Sequence, residues 1–362
     1  MRSRRLPFTL MVAACCGACS SSSKSPVNDS EYQAAVVTGM RTALVTDLGN
    51  LVAASQRLQA AAPTPADRGW DASLDAAAIE AMRKAWTDCR AAYEYIEGAT
   101  APIFPDIDAS IDSRYEDFLA ALPGGDQQLF DDAGVTGMHA VERILYANGE
   151  PTRVSVYESM LQGYAPAAFP ASPQEAADFK KRLAQKQIDD ARALQTGWQN
   201  ARTYDLSAAF QGLISLMNEQ QEKVDKASTD QEESRYSQST MADIRNNLAG
   251  GQRVYALFQP WIRSKRAATD ASASGDGPAI DDAIQAGFAA LQAVYDGVTG
   301  DAIPQPPATW SSVNPTADDL ATPFGMLYQG VHEAVDPERP GSVVAEMNAA
   351  AVLLGFPELA GE

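Results

Sequence analysis

Apolar side chains recur three and four positions apart along most of this chain, the spacing that gathers them on one face of an α-helix. Val36, Val37, Met40, Leu44, Leu48, Leu51 and Leu58 form the first stripe. Asp29 or Ser30 can cap its start, and Pro63 and Pro65 close it, which predicts one long helix to about Ala61. Ile79, Met82, Trp86, Cys89, Tyr93 and Ile96 make a cleaner stripe, predicting a helix from about Asp75 to Gly98. Residues 103–111 are rich in Pro and Asp and read as a loop before a short helix from Tyr115 to Leu119. Pro123-Gly124-Gly125-Asp126 then breaks the pattern. Met138, Val141 and Leu145 stand at i, i+3 and i+7, predicting a helix to Tyr146. After a break through Asn148–Pro151 and 163–173, further stripes predict helices from about Pro173 to Ala201, Leu206 to Ala227, Thr240 to Arg263, Ile280 to Val298, Pro323 to Val335 and Ser342 to Leu354. Lys223 to Glu233 reads as a charged, exposed end or loop, and 267–277 as a loop rich in Ala, Ser and Gly.

No strand-like alternation of useful length interrupts this series, so the fold class is all-α. About four long helices fall in each half, which suggests two packed antiparallel helical bundles. The break places an N-terminal bundle over 30–165 and a C-terminal bundle over 172–358.

The first 29 residues lie outside that pattern. Arg2, Arg4 and Arg5 precede a short apolar run from Leu6 to Ala14, too short to span a bilayer as a mature helix. Cys15, Cys16 and Cys19 follow, and then a Ser-rich stretch to Pro26. Residues 1–19 therefore read as a lipoprotein-type signal, with an ordinary secretory signal as the alternative, and 20–29 as a tether. Val12-Ala13-Ala14-Cys15 is the preferred lipidation site, with Cys19 as the alternative. Cys89 alone lies in the body of the chain, on an apolar stripe, and reads as a packed thiol.

Charge narrows the functional classes. The chain of 362 residues carries 28 Lys+Arg against 47 Asp+Glu, a net −19, and losing the three signal arginines makes the remainder more acidic still. That argues against nucleic-acid binding, which needs basic patches. An acidic surface is compatible with attracting cations, although its ordinary effect is solubility.

The candidate chemistry begins at His139, one of two histidines in the chain. It stands three residues before Glu142, so both side chains leave one face of the predicted helix a turn apart. A hydrogen-bonded pair would satisfy that spacing, and so would an imidazole and a carboxylate converging on one cation. Gly137, lacking a Cβ, lets another helix come close. On the preceding long helix Glu94 and Glu97 are also three apart, and Arg90 to Glu94 is an i, i+4 pair that a solvated salt bridge would explain. Asp106, Asp108 and Asp112 sit in the predicted loop without an EF-hand pattern. Asp243 and Asn247, one turn apart on a later helix, call for interhelical hydrogen-bond partners. His332 reads as structural or surface, because the adjacent Glu333 points elsewhere on its helix.

Gly137-Met138-His139-Ala140-Val141-Glu142 resembles the GxHxxE motif of the imelysin-like family, also known as the M75 peptidase family. Trp86-Thr87-Asp88-Cys89-Arg90-Ala91-Ala92-Tyr93-Glu94 resembles its upstream W-x-x-x-R-x-x-Y-E segment. Residues Ser239 to Gly250 resemble its downstream S/T-x-x-D-x-x-x-N-x-x-G helix, and Thr322-Pro323-Phe324-Gly325 with Leu354-Gly355 its C-terminal helix pair. The ordered set spans roughly 30 to 358. The resemblance implies an all-helical fold of two related bundles with GxHxxE near their interface, and an association with bacterial iron uptake. It brings the segment of Arg90, Glu94 and Glu97 near His139 and Glu142.

The expected metal ligands are accordingly His139, Glu142, Glu94 and Glu97, with Arg90, Asp243 and Asn247 as supporting or interface residues. One nitrogen and several oxygens suit iron, and also zinc or copper. The expectation is a lipid-anchored metal-binding protein of the bacterial envelope, facing the periplasm or the cell surface. It would touch membrane only through its anchor, serve iron acquisition, and hand its ion to an envelope transport component. An ion-free module that binds a haem-containing or other protein is the first alternative. A metal-dependent peptidase is the second and the weaker, because HExxH is absent and neither a third ligand nor a general base is evident.

Overall fold

The computed structural model describes residues 28–121, 129–266 and 276–359, and every regular element among them is helical. Cys15, Cys19, the tether through residue 27 and most of the 267–277 loop lie outside the described residues. No helix among the described residues is long and apolar enough to cross a membrane.

The first stripe forms two helices, α1 (Asp29–Ala43) and α2 (Val45–Ala61), where the sequence predicted one. Thr38 and Thr42 each donate a hydroxyl to the carbonyl four residues back, at 2.8 and 3.0 Å. Such back-bonding bends a helix, here just before Leu44. The second stripe forms α3 (Ala76–Glu94) and ends earlier than expected, with a separate turn α4 (Glu97–Thr100) beyond it. The end of α3 is met by a later helix. Asn247 Nδ2 donates to the Glu94 carbonyl at 3.1 Å, and Gly250 packs so tightly there that a Cβ would stand 2.2 Å from Tyr95 O.

The Pro- and Asp-rich stretch is not a loop but a helix, α5 (Pro105–Asp112), followed by α6 (Tyr115–Ala121). Proline at the first helical position needs no amide hydrogen, and Asp106 and Asp108 in the first turn complement the helix dipole, so the residues read as breakers start a helix instead. The motif helix α7 (Gly137–Leu145) and α8 (Thr152–Glu158) come next. α9 (Pro173–Asp178) runs through one π turn into α10 (Ala184–Asn200). The remaining helices are α11 (Leu206–Ala227), α12 (Thr240–Ser264), α13 (Gly277–Asp296), α14 (Ala317–Leu320), α15 (Pro323–Val335) and α16 (Val343–Leu354).

Packing crosses the 163–173 break: α10 lies against α2, and α1 lies against α12. A large apolar core runs from Val36 to Leu354, and a smaller one surrounds Trp86, Ile144 and Phe179. α7 stands where they meet. Met138 joins the large core, Val141, Ile144 and Leu145 join the smaller one, and Ala140 joins a third patch with Tyr115 and Val135. Every residue of α7 is buried, so its polar side chains must find partners inside the protein. Two contacts fix its position. Trp86 Nε1 donates to Met138 O at 2.9 Å. Gly137 has φ +86°, and a Cβ on it would lie 2.6 Å from Ile111 O at the end of α5.

Candidate metal centre

His139 is 3% exposed and uses its two ring nitrogens differently. Nδ1 stands 3.4 Å from Glu142 Oε2. Nε2 stands 3.4 Å from Asp112 Oδ1 and 3.4 Å from Glu233 Oε1, and it is buried with no hydrogen-bond partner. One ligand atom from each of Asp112, His139 and Glu233 lies within 4.8 Å of the others. The three come from α5, α7 and the 228–239 connection between α11 and α12.

Of the residues named from sequence, Glu142 sits beside His139 but turns its other oxygen away, accepting from Ser237 N at 2.8 Å and Ser237 Oγ at 2.7 Å. Glu94 and Glu97 are held by other partners. Asn247 Nδ2 donates to Glu94 Oε2 at 2.6 Å and Glu97 Oε2 at 2.9 Å, and Lys223 Nζ lies 3.5 and 3.8 Å from the same two atoms. Arg90 pairs with Glu94 as the spacing suggested, but the pair is buried rather than solvated, and its guanidinium also reaches Asp112, Glu233 and Asp243. Asp243 accepts from Ser234 Oγ. The carboxylates of the 94–97 turn therefore adjoin the imidazole through Arg90 and Lys223, not by direct contact.

Asp112 and Glu233, which the structure brings to His139, are not among the residues expected as ligands from the sequence. Asp112 belonged to the presumed loop. Glu233 ends the run from Lys223 read as exposed, whereas Lys223, Glu232, Glu233, Ser234 and Arg235 are all buried. Arg153 of α8 holds this connection, pairing with Glu232 and Gln238 and lying 3.5 Å from Asp230. Asp230 and Gln238 both have left-handed backbones, at φ 62° and 58°, a conformation seldom seen outside glycine. Nothing in a run of charges distinguishes one folded inward from one left in water. The mark of this one is the density of cations that receive it: Arg114 donates to Glu233 Oε2 at 2.7 Å, and Lys223 stands 3.5 Å from that atom.

The electrostatics follow from burial against pairing. Burial alone would push the Glu233 carboxyl up, but Arg114, Lys223, His139 and Arg90 hold it well below the usual carboxylate range. Burial likewise opposes the Asp112 carboxylate, and Arg90 and His139 bring its pKa down. Burial disfavours the charged His139 ring, yet Asp112, Glu142 and Glu233 outweigh it and raise its pKa well above normal. The ring is thus held in its protonated form by the acids around it. At two other carboxyls burial outweighs the nearby cations: Asp243 is pushed up to about 8 although Arg90 lies 3.7 Å away, and Glu219 to about 7 although Lys223 opposes it. Beside Asp112 and Glu233 opens a polar cavity of about 150 Å³, also lined by Glu97, Arg114, Glu219 and Lys223.

An imidazole nitrogen and two carboxylates are a donor set for a borderline or hard cation. The unpartnered Nε2, aimed at the two carboxylates, fits such an ion. His332 is apart from this cluster, its Nε2 2.8 Å from Asp225 Oδ1 in a part-exposed pair.

The family model for imelysin, peptidase M75, matches residues 36–321. The iron uptake system component EfeO of Yersinia pseudotuberculosis is 25% identical over 190 residues, covering 52% of this chain and 40% of that protein. EfeO of Escherichia coli K12 is 24% identical over 191 residues, covering 53% of this chain and 40% of its own length. The matched region is thus well under half of those relatives. An imelysin-like protein from Psychrobacter arcticum 273-4 superposes with a TM-score of 0.57 at 14% identity, over 93% of this chain and 99% of that one. A protein described as a putative iron-regulated protein A precursor, from Parabacteroides distasonis, gives 0.56 at 13% identity, over 92% and 97%. At those identities the likeness concerns the fold alone.

Proposed function

Since the chain belongs to the imelysin family, we propose that it is a metal-binding protein of iron uptake, with His139, Asp112 and Glu233 as the ligands of its cargo ion. The observation that carries this reading is the buried, unpartnered His139 Nε2 facing two carboxylates whose ligand atoms lie within 4.8 Å of it and of each other. The iron assignment draws on the curated relatives, which are named as iron uptake components. Zinc and copper suit the same donors.

In this reading the two members of the HxxE pair have different tasks. Glu142, fixed by Ser237, faces Nδ1 and holds the ring so that Nε2 points at the ion, the usual arrangement of a carboxylate behind a metal-bound imidazole. Glu94 and Glu97 serve the site through Arg90, Lys223 and Asn247, and the cavity beside Asp112 and Glu233 is the way in. The amino-terminal segment anchors the protein by lipid at Cys15, or at Cys19, in the bacterial envelope, from where the ion passes to a transport component.

Calorimetric titration with iron(II) under anaerobic conditions, zinc and copper tests the ligand set. His139→Ala, Asp112→Asn and Glu233→Gln should each weaken binding by about a hundredfold or more, and Glu142→Gln by roughly ten- to a hundredfold. Wild-type affinity in all three ligand variants would remove these residues from the site.

One observation favours a second reading. Arg90, Arg114 and Lys223 already neutralise much of the acidic cluster, as expected of an ion-free module that recognises a haem-containing or other protein. Protein purified without chelators that contains no stoichiometric metal, and takes none up on titration, supports that module instead. Binding is preferred here to the peptidase activity in the family's name. Metal-dependent cleavage of an unstructured protein, lost in Glu142→Gln, would reverse that preference.

A further inference from the structure

Among the described residues, Arg90 is the arginine that reaches both Asp112 and Glu233. It is 2% exposed and surrounded by four carboxylates. Nη1 pairs with Asp112 Oδ1, and Nη2 pairs with Glu94 and stands 3.5 Å from Glu233 Oε1 and 3.7 Å from Asp243 Oδ2. Asp112 Oδ1 and Glu233 Oε1 are also the two atoms that stand 3.4 Å from His139 Nε2. The guanidinium and the imidazole thus address the same pair of oxygens from different helices, α3 and α7.

The rest of the geometry keeps this pair of oxygens in contention. Glu233 cannot easily offer its second oxygen instead, because Arg114 donates to it at 2.7 Å and Lys223 lies 3.5 Å away. Arg90 Nε is buried without a hydrogen-bond partner, so the guanidinium is held through its two Nη atoms by the carboxylates alone. Glu94, with which Nη2 already pairs, and Asp243, 3.7 Å from it, would keep the guanidinium partnered once it left the other two acids. Two like charges a few ångströms apart in a buried site repel strongly.

We propose that Arg90 is a built-in competitor for the cargo ion: its guanidinium occupies the cation position between Asp112 and Glu233, and a multivalent ion enters by displacing it toward Glu94 and Asp243. The proposal rests on the assignment of Asp112, His139 and Glu233 as ligands. Loading then exchanges the guanidinium, and the proton that His139 Nε2 gives up to solvent on becoming a ligand, for the ion. A monovalent ion gains nothing by the exchange, so the arginine selects for higher charge. The same arginine also assists release, because the carboxylates it returns to are never left bare, a state that would be costly in a buried site.

The test is titration of the full chain with zinc by calorimetry, repeated with iron(II) under anaerobic conditions, on wild type, Arg90→Lys, Arg90→Gln and His139→Ala. Arg90→Lys keeps the charge but has a single nitrogen, which cannot cover both oxygens, and it should bind zinc roughly tenfold more tightly than wild type. Arg90→Gln removes the repulsion and should gain more than that. If its bare acids prevent folding, adding zinc during refolding should restore a cooperative thermal transition. Equal or weaker zinc binding by Arg90→Lys, while His139→Ala loses binding, would mean that Arg90 organises the ligands rather than competing with the ion, and would overturn the proposal. Wild-type affinity in His139→Ala would instead overturn the ligand assignment beneath it, so the two failures are told apart.

Discussion

His139 was legible as a single residue because it is one of only two histidines and sits at a helix-compatible offset from Glu142. What its neighbours do was not legible. An i, i+3 spacing fixes that two side chains share a face, but not which ring nitrogen faces the acid, and here Glu142 takes Nδ1 while Asp112 and Glu233 face Nε2. Gly137 was more transparent, and its close approach to α5 is present. Gly137→Ala would place a Cβ 2.6 Å from the Ile111 carbonyl on a backbone of φ +86°. We expect it to cost about 2–4 kcal/mol in urea unfolding. Cys89, read as a packed thiol, is fully buried beside Ser55, and burial pushes its thiol up to about 12. A raised pKa favours the neutral, unreactive form. Cys89 should therefore resist a thiol reagent at pH 8 in the folded protein and react at once when denaturant is added.

At the scale of elements, apolar periodicity located most of the long helices and missed what tertiary contacts impose on their ends. The α3 stripe continues through Ile96, but Asn247 and Gly250 of α12 close on Glu94 and Tyr95, and the helix breaks there. In α5 the Pro and Asp residues have two readings, turn or helix start, and only the fold decides between them. α7 depends on its neighbours in a way that can be measured. Trp86 Nε1 holds the Met138 carbonyl, so Trp86→Phe, which removes that buried donor and shrinks the side chain, should lose about 1–3 kcal/mol. On the other side, Arg143 of α7 donates to Glu158 of α8 at 2.8 and 3.0 Å, and Arg235 lies 3.3 Å from the same carboxylate. Glu158→Ala would leave Arg143 buried without a carboxylate, while Arg235 keeps Glu116, and should cost about 3–5 kcal/mol by the same measurement, more than the loss of Trp86.

For the whole molecule, the all-α class was read correctly because no stretch offered strand alternation. The packing of α10 on α2 and of α1 on α12 could not be read, since periodicity shows that a face is buried and not what buries it. The buried charge of the 228–239 connection was hidden for a related reason: composition records −19 for the chain but not how the charges are distributed in space. If the chain carries its ion at the proposed site, loading should stabilise the whole fold. A free-ion concentration a hundredfold above the dissociation constant should add about 2.7 kcal/mol. The thermal midpoint should rise in wild type and stay unchanged in His139→Ala, with the rise reversed by chelator.

The three facing atoms of Asp112, His139 and Glu233 are supplied from well-separated parts of the chain, the last of them only after α11 has been made. A ribosome-bound chain that has emerged only through residue 200 has the imidazole and one carboxylate, and nothing yet to complete the trio. Occupancy at this centre would then report that synthesis has passed Glu233 and that the late segment has docked, which makes the ion a witness to maturation as well as a passenger.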